Sequence, residues 1–409
     1  MARVLYLTYD GLLEPLGESQ VVACLERLAG GHEITVLSYE KAADRADAPR
    51  VASMRRRLKR SGIVWVALRY HRRPTGPATA FDLAHGLVRC LVLLRRRQIE
   101  IVHARSYVPA MLALALKRLA GTGFIFDMRG FWPDEKVAAG EWRRDGALYR
   151  AAKWCERRFL LEADAVVSLT EAAVEAMRQF PYLRGRAAQF EVIPTCADLE
   201  LFQAADGNGA HPFTLGYLGS VGGRYRFDAV LDCFSLLRAQ NPEARLRIIN
   251  RDGHAIIREA LRGRDIPESA VELSAEDRAG VARALQGVDA GIFFYRDGFS
   301  MLGTAPTRLG ELLACGVPCL ANAGVGDTAR VLEGQEVGIV LREFTPEAEA
   351  EGIRRLVELA AQPGIRGRCA EAAERTFSLA RTVERYDHLY ASLESSAASE
   401  KRRIHACHV

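Results

Sequence analysis

The 409-residue sequence has no C-x-x-C pair and no G-x-G-x-x-G dinucleotide fingerprint, and its start, running straight into a predicted strand at 3–8, is expected to carry no leader peptide. Its nine cysteines are scattered, and Cys90, Cys233 and Cys315 fall in apolar stretches where cysteine acts as a small hydrophobe. A disulfide scaffold is therefore excluded, and a reduced, cytoplasmic setting is expected. Cys315 and Cys319 are close enough to suggest metal ligands, but Pro318 and a helix end fall between them. No apolar run reaches the roughly 18 residues of a membrane span. The basic clusters lack interleaved aromatics or a known module, which argues against nucleic acid as a partner. Hydrophobic residues at 49% and charged residues at 26% exclude a disordered or fibrous chain, and the length suits two or three domains.

The net charge of +5 is modest but unevenly spread. Arg95, Arg96 and Arg97 close a predicted helix at 81–94, where cations complement the dipole, so they read as structural. Lys153, Arg157 and Arg158 add charge in the same half. The cluster Arg55, Arg56, Arg57, Lys59 and Arg60 is different, because its charges surround most of a helix. An anionic membrane surface or a pyrophosphate-linked lipid suits it, with a merely solvated helix as the alternative.

Apolar and β-branched runs at 4–8, 34–38, 63–68, 99–103, 124–127, 165–169 and 191–193 alternate with helical patterns. They predict seven buried parallel strands of a doubly wound domain, which binds ligands beyond the strands' carboxyl ends. Pro194 to Pro212 reads as a linker region, with a Gly-rich turn at 206–210. A second alternation follows at 214–219, 246–249, 271–273, 290–294, 317–321 and 338–341. Residues 366–395 read as helical, with Phe377, Tyr386 and Tyr390 as anchors, and 399–409 as a loose charged tail.

Candidate chemistry falls at the predicted strand ends. The turn at 8–19 carries Asp10, Gly11 and Gly17, with Ser19 as a predicted N-cap. Strands four and five end in His103 and in Asp127 with Arg129. His103 reads equally well as a core residue, and Asp127–Arg129 as a pair that organises its loop. Asp134 and Glu135, in a predicted loop, make a weak metal site. The turn at 216–225 (GYLGSVGGRY) has the character of a phosphate nest. The richest segment is 300–327, SMLGTAPTRLGELLACGVPCLANAGVGD. Here a loop runs into a helix opened by Pro306 and closed by Gly316, followed by a strand and a second Gly-rich turn. A helix N-terminus beneath such a loop offers N–H groups to phosphate. Glu311, deeper in the helix, can accept hydrogen bonds from a ribose diol, or else form an exposed pair with Arg308.

The segment around Glu311 and 314–318 (ACGVP) resembles the nucleotide-sugar site of retaining GT-B glycosyltransferases of family 4. The runs 5–13 (LYLTYDGLL), 16–20 (LGESQ) and 126–135 (FDMRGFWPDE) are similar to a bacterial branch of that family that assembles polysaccharides and cell-envelope glycans. The resemblance spans nearly the whole chain, with departures. The family's usual first Glu is replaced by Gly303. Its donor-loop Arg and Lys are missing from 219–224, with Arg308 and Arg224 as candidate substitutes. Many relatives carry a His where this chain has Arg129.

The resemblance implies an α/β protein of two Rossmann-like doubly wound domains facing a central cleft. The acceptor domain would be 1–197 and the donor domain 212–378, joined by a linker at 198–211. A C-terminal helix at about 379–397 would cross back to the first domain, ahead of a flexible tail at 398–409. The implied activity is transfer of a sugar, with retention, from a UDP- or GDP-linked donor to a glycan or lipid-linked glycan, at or near the inner membrane face. Asp10, His103, Asp127 and Arg129 are the implied catalytic residues. Gly17, Gly219, Ser220, Arg224, Thr307, Arg308 and Glu311 are the implied donor contacts, with Arg226 as the alternative to Arg224. No metal or cofactor is implied, because helix dipoles and basic side chains neutralise the diphosphate, and domain closure would exclude water. Three other readings stay open. They are a GT-B-shaped sugar-nucleotide epimerase using Asp10 and Asp127, a non-catalytic sugar-nucleotide-binding partner subunit, and a DNA-modifying transferase.

Overall fold

Two all-parallel sheets organise the chain. The computed structural model describes residues 1–406 except 15, 16, 72, 187, 188 and 205–210, with backbone only for Thr75 and 396–406. The Gly-rich part of the predicted linker thus lies outside the described residues. Two compact units result: 1–137 with 142–193 and the chain from 380 onward, and 138–141 with 194–379.

The first unit holds β1 (Arg3–Thr8), β2 (Glu33–Glu40), β3 (Val64–Arg69), β4 (Ile101–Arg105), β5 (Gly123–Asp127), β6 (Ala165–Ser168) and β7 (Phe190–Val192). Their order is β3-β2-β1-β4-β5-β6-β7. Helices cover both faces, so the strands are buried throughout and read as apolar runs rather than as alternating patterns. Phe124, Phe126, Phe159 and Tyr107 stack inside the sheet-to-helix layer. The second unit holds β8 (Thr214–Leu218), β9 (Arg245–Ile249), β10 (Val271–Ser274), β11 (Ala290–Phe293), β12 (Cys319–Asn322) and β13 (Gly338–Leu341), ordered β10-β9-β8-β11-β12-β13. In each sheet the order reverses beside the first strand, between β1 and β4 and between β8 and β11. Such reversals open a crevice at the carboxyl ends.

The helix Leu379–Ala406 belongs to the first unit from residue 380 onward. Tyr390 donates toward or accepts from His103 Nδ1 at 2.7 Å, the Tyr386 hydroxyl donates to Asp127 at 3.3 Å, and His32 meets Asp387 at 2.8 Å. The backbone stays helical through Ala406, where the sequence suggests a loose tail. The segment has no Gly or Pro to stop the helix. Residues 407–409 lie outside the described chain.

Three other expectations change. The chain after β1 enters a π-helix, Gly17–Val22, so Ser19 lies inside a helical turn and is not an N-cap. Asp134 and Glu135 lie in a helix, Trp132–Ala138. Asp134 is buried, accepting from the Tyr149 hydroxyl at 2.9 Å and from Lys153 at 3.1 Å, so it is structural. The helix Thr75–Arg97 contains a segment, Gly76–Arg97, long and apolar enough to cross a membrane by length and composition. Asp82 and Arg89 interrupt the run, which hides it from a search for unbroken apolar stretches. Asp82 is fully buried and accepts from the Tyr9 hydroxyl at 2.9 Å and the His71 backbone N–H at 3.0 Å, fixing this helix in the unit's core. Its other side exposes Phe81, Val88 and Val92.

Candidate active site

In the second unit the donor candidates gather at the β8/β11 reversal. The loop after β8 is held by backbone and side chain. Gly219 N–H donates to Ile249 at 2.9 Å, Asn250 Nδ2 donates to the Gly219 carbonyl at 2.8 Å, and the Tyr217 hydroxyl donates to the Ser220 carbonyl at 2.5 Å. A bridge between Tyr225 and Tyr295 ties this loop to the one after β11. A pocket of about 460 Å³ opens beside Gly219, lined also by Ser220, Asn250, Ile256 and Glu276.

The helix Thr307–Ala314 begins one residue later than expected, with Pro306 as its N-cap, and Gly316 follows its end at φ 76°. Thr307 stands partly exposed in its first turn. Arg308 turns inward. Its guanidinium lies 4.6 Å from the ring centre of Tyr225, 5.4 Å from Tyr217, 5.8 Å from Tyr295 and 5.9 Å from Phe293. Gly219, at φ 118°, makes room for it, since a Cβ there would fall 2.3 Å from Arg308 Nη2. Among the described residues no carboxylate comes within ion-pair distance of Arg308, and its buried Nη1 has no hydrogen-bond partner. The exposed Arg308–Glu311 pair is therefore replaced by a buried cation in an aromatic cage facing the Gly-rich loop.

Glu311 is partly buried, and its side chain makes no hydrogen bond or ion pair among the described residues. Burial pushes its pKa up to about 7, against the opposing pull of Arg278 and Arg308. Arg224 is exposed on the loop tip. Arg226 stacks on Phe344, 3.6 Å from its ring centre, in a separate pocket of about 290 Å³ with Arg342 and Asn322. Gly303 is buried in a 3₁₀ turn, Phe299–Gly303.

In the first unit the register sets Thr8 beside Arg105 and Arg105 beside Asp127, so the ends of β1, β4 and β5 form one edge. Asp10 lies just past β1 with its side chain 64% exposed, and Arg105 Nε is 3.9 Å from it. Asp127 is 1% exposed and Arg129 Nη1 lies 3.8 Å from it, too far for a hydrogen bond. Burial opposes the charge on Asp127, but Arg129, His103 and Arg105 outweigh it and hold its pKa below the usual range. His103 is also 1% exposed, and burial lowers its pKa despite Asp127 at 3.6 Å. Its ring is sealed beneath Tyr386 and Tyr390, so it is a core residue that seats the C-terminal helix and not a group open to substrate. Gly17 packs against backbone, since a Cβ would fall 2.1 Å from the Gly11 carbonyl oxygen. The same turn is held by Glu40, fully buried, which accepts from the Leu12 N–H at 2.9 Å and the Ser38 hydroxyl at 2.6 Å. Among the described residues no three His, Cys, Asp or Glu side chains converge as a metal-holding group.

Sequence reasoning missed Arg105 and Glu40. Both end strands whose apolar runs carry no motif, and only the sheet register places them beside Asp127 and the first turn.

Residues 19–196 match the model of the glycosyl transferase 4-like domain. No curated protein matches the chain by sequence. Among solved structures, sucrose-phosphate synthase from Thermosynechococcus elongatus superposes with a TM-score of 0.69 at 14% identity, covering 97% of this chain and 100% of that one. HepE of Anabaena, in complex with UDP and glucose, gives 0.66 at 13% identity, covering 96% and 100%. WaaG, a glycosyltransferase involved in lipopolysaccharide biosynthesis, gives 0.66 at 16% identity, covering 95% and 99%. Residues 19–196 are thus similar to a glycosyl transferase 4-like domain, and the chain has the GT-B fold of two parallel-sheet α/β domains.

Proposed function

We propose that the protein is a retaining glycosyltransferase of the hexosyl type. It would move a sugar from a UDP- or GDP-linked donor to a hydroxyl of a glycan or lipid-linked glycan in cell-surface polysaccharide synthesis. Fold alone does not license this, because one fold hosts many activities. The observation that carries it is the pairing, on one helix, of a caged cation without a carboxylate and a carboxylate without a partner. Arg308 suits a diphosphate beneath Gly219 and Ser220, and Glu311 suits a ribose diol three residues on. Arg224 and Thr307 would border the same donor.

In the reaction the bond from the anomeric carbon to the β-phosphate oxygen breaks. The acceptor oxygen bonds to that carbon on the same face, and its proton passes to the departing phosphate. Arg308 and the N–H groups of the Gly-rich turns stabilise the charge that develops on the leaving group. Asp10, Asp127 and Arg129 are assigned to the acceptor side. The site needs no metal in this reading.

The test is a thermal-shift screen of UDP-, GDP- and other nucleotide sugars. Binding raises stability by mass action, about 2.7 kcal/mol at a hundredfold excess over Kd. A shift with one nucleotide class, together with transfer to a glycan acceptor, supports the reading, and no shift with any donor overturns it. Binding without transfer would instead favour a sugar-nucleotide-binding partner subunit, the reading that Gly303 motivates. Free epimer released without acceptor would favour an epimerase.

Peripheral attachment to the inner membrane face is part of the same proposal. Arg55, Arg56, Lys59 and Arg60 are exposed on the helix Ala48–Arg60. Arg57 is spent internally on Glu18 and Glu26, each at 2.8 Å. Phe81, Val88 and Val92 are exposed on the helix Thr75–Arg97, beside Arg89, Arg95 and Arg96. Each basic residue near an anionic surface contributes about 1 kcal/mol. A fourfold Arg55/Arg56/Lys59/Arg60→Gln variant is expected to lose sedimentation with anionic liposomes at low salt, while wild type is released by high salt. Equal binding to neutral liposomes, or full binding by the variant, would reduce the cluster to a solvated helix.

A further inference from the structure

The carboxyl edge of β4 and β5 holds two guanidinium groups, one buried and one partly buried, whose donors are largely unspent. Arg105 is 8% exposed, its buried Nε has no hydrogen-bond partner, and its nearest carboxylate, Asp10, is 3.9 Å away. Arg129 stands two residues beyond the register partner of Arg105, and its side chain is 15% exposed. It makes no hydrogen bond among the described residues, and Asp127 Oδ1, 3.8 Å away, is likewise without one. The backbone is strained to hold this arrangement. Ser106, next to Arg105, sits at φ 73° and Arg129 itself at φ 59°. Left-handed backbone costs a non-Gly residue about 1–2 kcal/mol, and such residues persist where the surroundings dictate them, often at ligand clamps. The buried Arg105 Nε left unpaired adds a further cost.

We propose that Arg105 and Arg129 together seat a phosphate group carried by the acceptor. This rests on the acceptor-side reading of the first unit and names the acceptor's chemical class. A tetrahedral phosphate offers oxygens in several directions, so it can satisfy two guanidinium forks from neighbouring strands. A planar carboxylate is saturated by one fork. The edge carries Asp127 and Asp10 as its acidic groups. Asp127 is turned toward Tyr386 and His103, and Asp10 is largely solvated, which leaves the donors of both arginines to an incoming anion.

The experiment is calorimetric titration of the full chain, with saturating UDP present to occupy the diphosphate seat. The probes are inorganic phosphate, glucose 1-phosphate, geranyl pyrophosphate and neutral methyl glucoside. The phosphate-bearing probes are expected to bind and methyl glucoside not. Arg105→Gln and Arg129→Gln should each weaken binding by about tenfold to a hundredfold, the scale for a charged hydrogen bond. Arg354→Gln, in an exposed ion pair of the second unit, should leave it unchanged. Arg105→Lys, which keeps the charge, serves if the Gln variant does not fold, and should retain part of the affinity. Preference for geranyl pyrophosphate assigns a lipid source, and preference for glucose 1-phosphate a soluble one. Absence of phosphate binding in wild type, or binding unchanged in both Gln variants, overturns the proposal. Failure of UDP and GDP alike to bind would instead undo the donor reading, and the phosphate titration would still decide this one.

Discussion

Arg308→Met is expected to lower turnover by about 10²–10³, the cost of removing one preorganised donor to a developing charge. Nucleotide-diphosphate affinity should fall with it, while the unliganded protein melts no lower than wild type. The two effects separate because of where the charge sits. The guanidinium is buried among Tyr225, Tyr217, Tyr295 and Phe293, with no carboxylate in ion-pair range among the described residues. Burying an ion without a counter-ion costs several kcal/mol, which the faces of the rings offset only in part. Methionine fills similar volume without that cost. A variant that gains or keeps stability and loses function has lost a ligand contact rather than a packing contact. Arg308→Lys should fall between, since it keeps a charge but not the planar fork. Arg224→Ala, on the exposed loop tip, should cost less than either. Melting curves and steady-state turnover on the same preparations give the answer. Wild-type turnover in Arg308→Met would remove the diphosphate role, and a collapsed melting temperature would make the residue structural.

Legibility in the sequence followed burial. Strands covered on both faces appear as unbroken apolar runs, so the runs at 4–8, 124–127 and 338–341 fall on β1, β5 and β13. Pro306 and Gly316 likewise bracket the helix of Arg308 and Glu311, because φ restriction and φ freedom are properties of single residues. Long-range partners left no such mark. Arg57 looked like one of five free charges, yet its partners Glu18 and Glu26 are 39 and 31 residues away. Arg308 looked like the i,i+3 mate of Glu311, and only the fold shows that the space above Gly219 draws it inward. Arg105 carried no motif, and its meaning comes from the register that sets it beside Asp127.

Donor affinity is expected to fall about twentyfold to thirtyfold between pH 7.5 and pH 5.5, and Glu311→Gln should abolish that slope. The carboxylate must be ionised to accept both hydrogen bonds from a ribose diol, but burial raises its pKa to about 7 in the unliganded protein. Below that value, binding must first expel a proton, so affinity drops by up to tenfold per pH unit. The stability change runs the opposite way. A folded pKa above the unfolded value of 4.5 contributes stability that is complete below about pH 4.5 and lost as pH rises through about 7. At pH 8 the unliganded Glu311→Gln protein should therefore be at least as stable as wild type, while Glu311→Ala should bind the donor about 1.5–3 kcal/mol more weakly. The ligand must be an intact nucleotide sugar, because a free terminal phosphate would titrate near pH 6 and imitate the effect. Calorimetric titration of the three proteins from pH 5.5 to 8 measures both slopes. A Gln variant with the wild-type pH slope would place the titrating group elsewhere, and undiminished affinity in the folded Ala variant would take the ribose from Glu311.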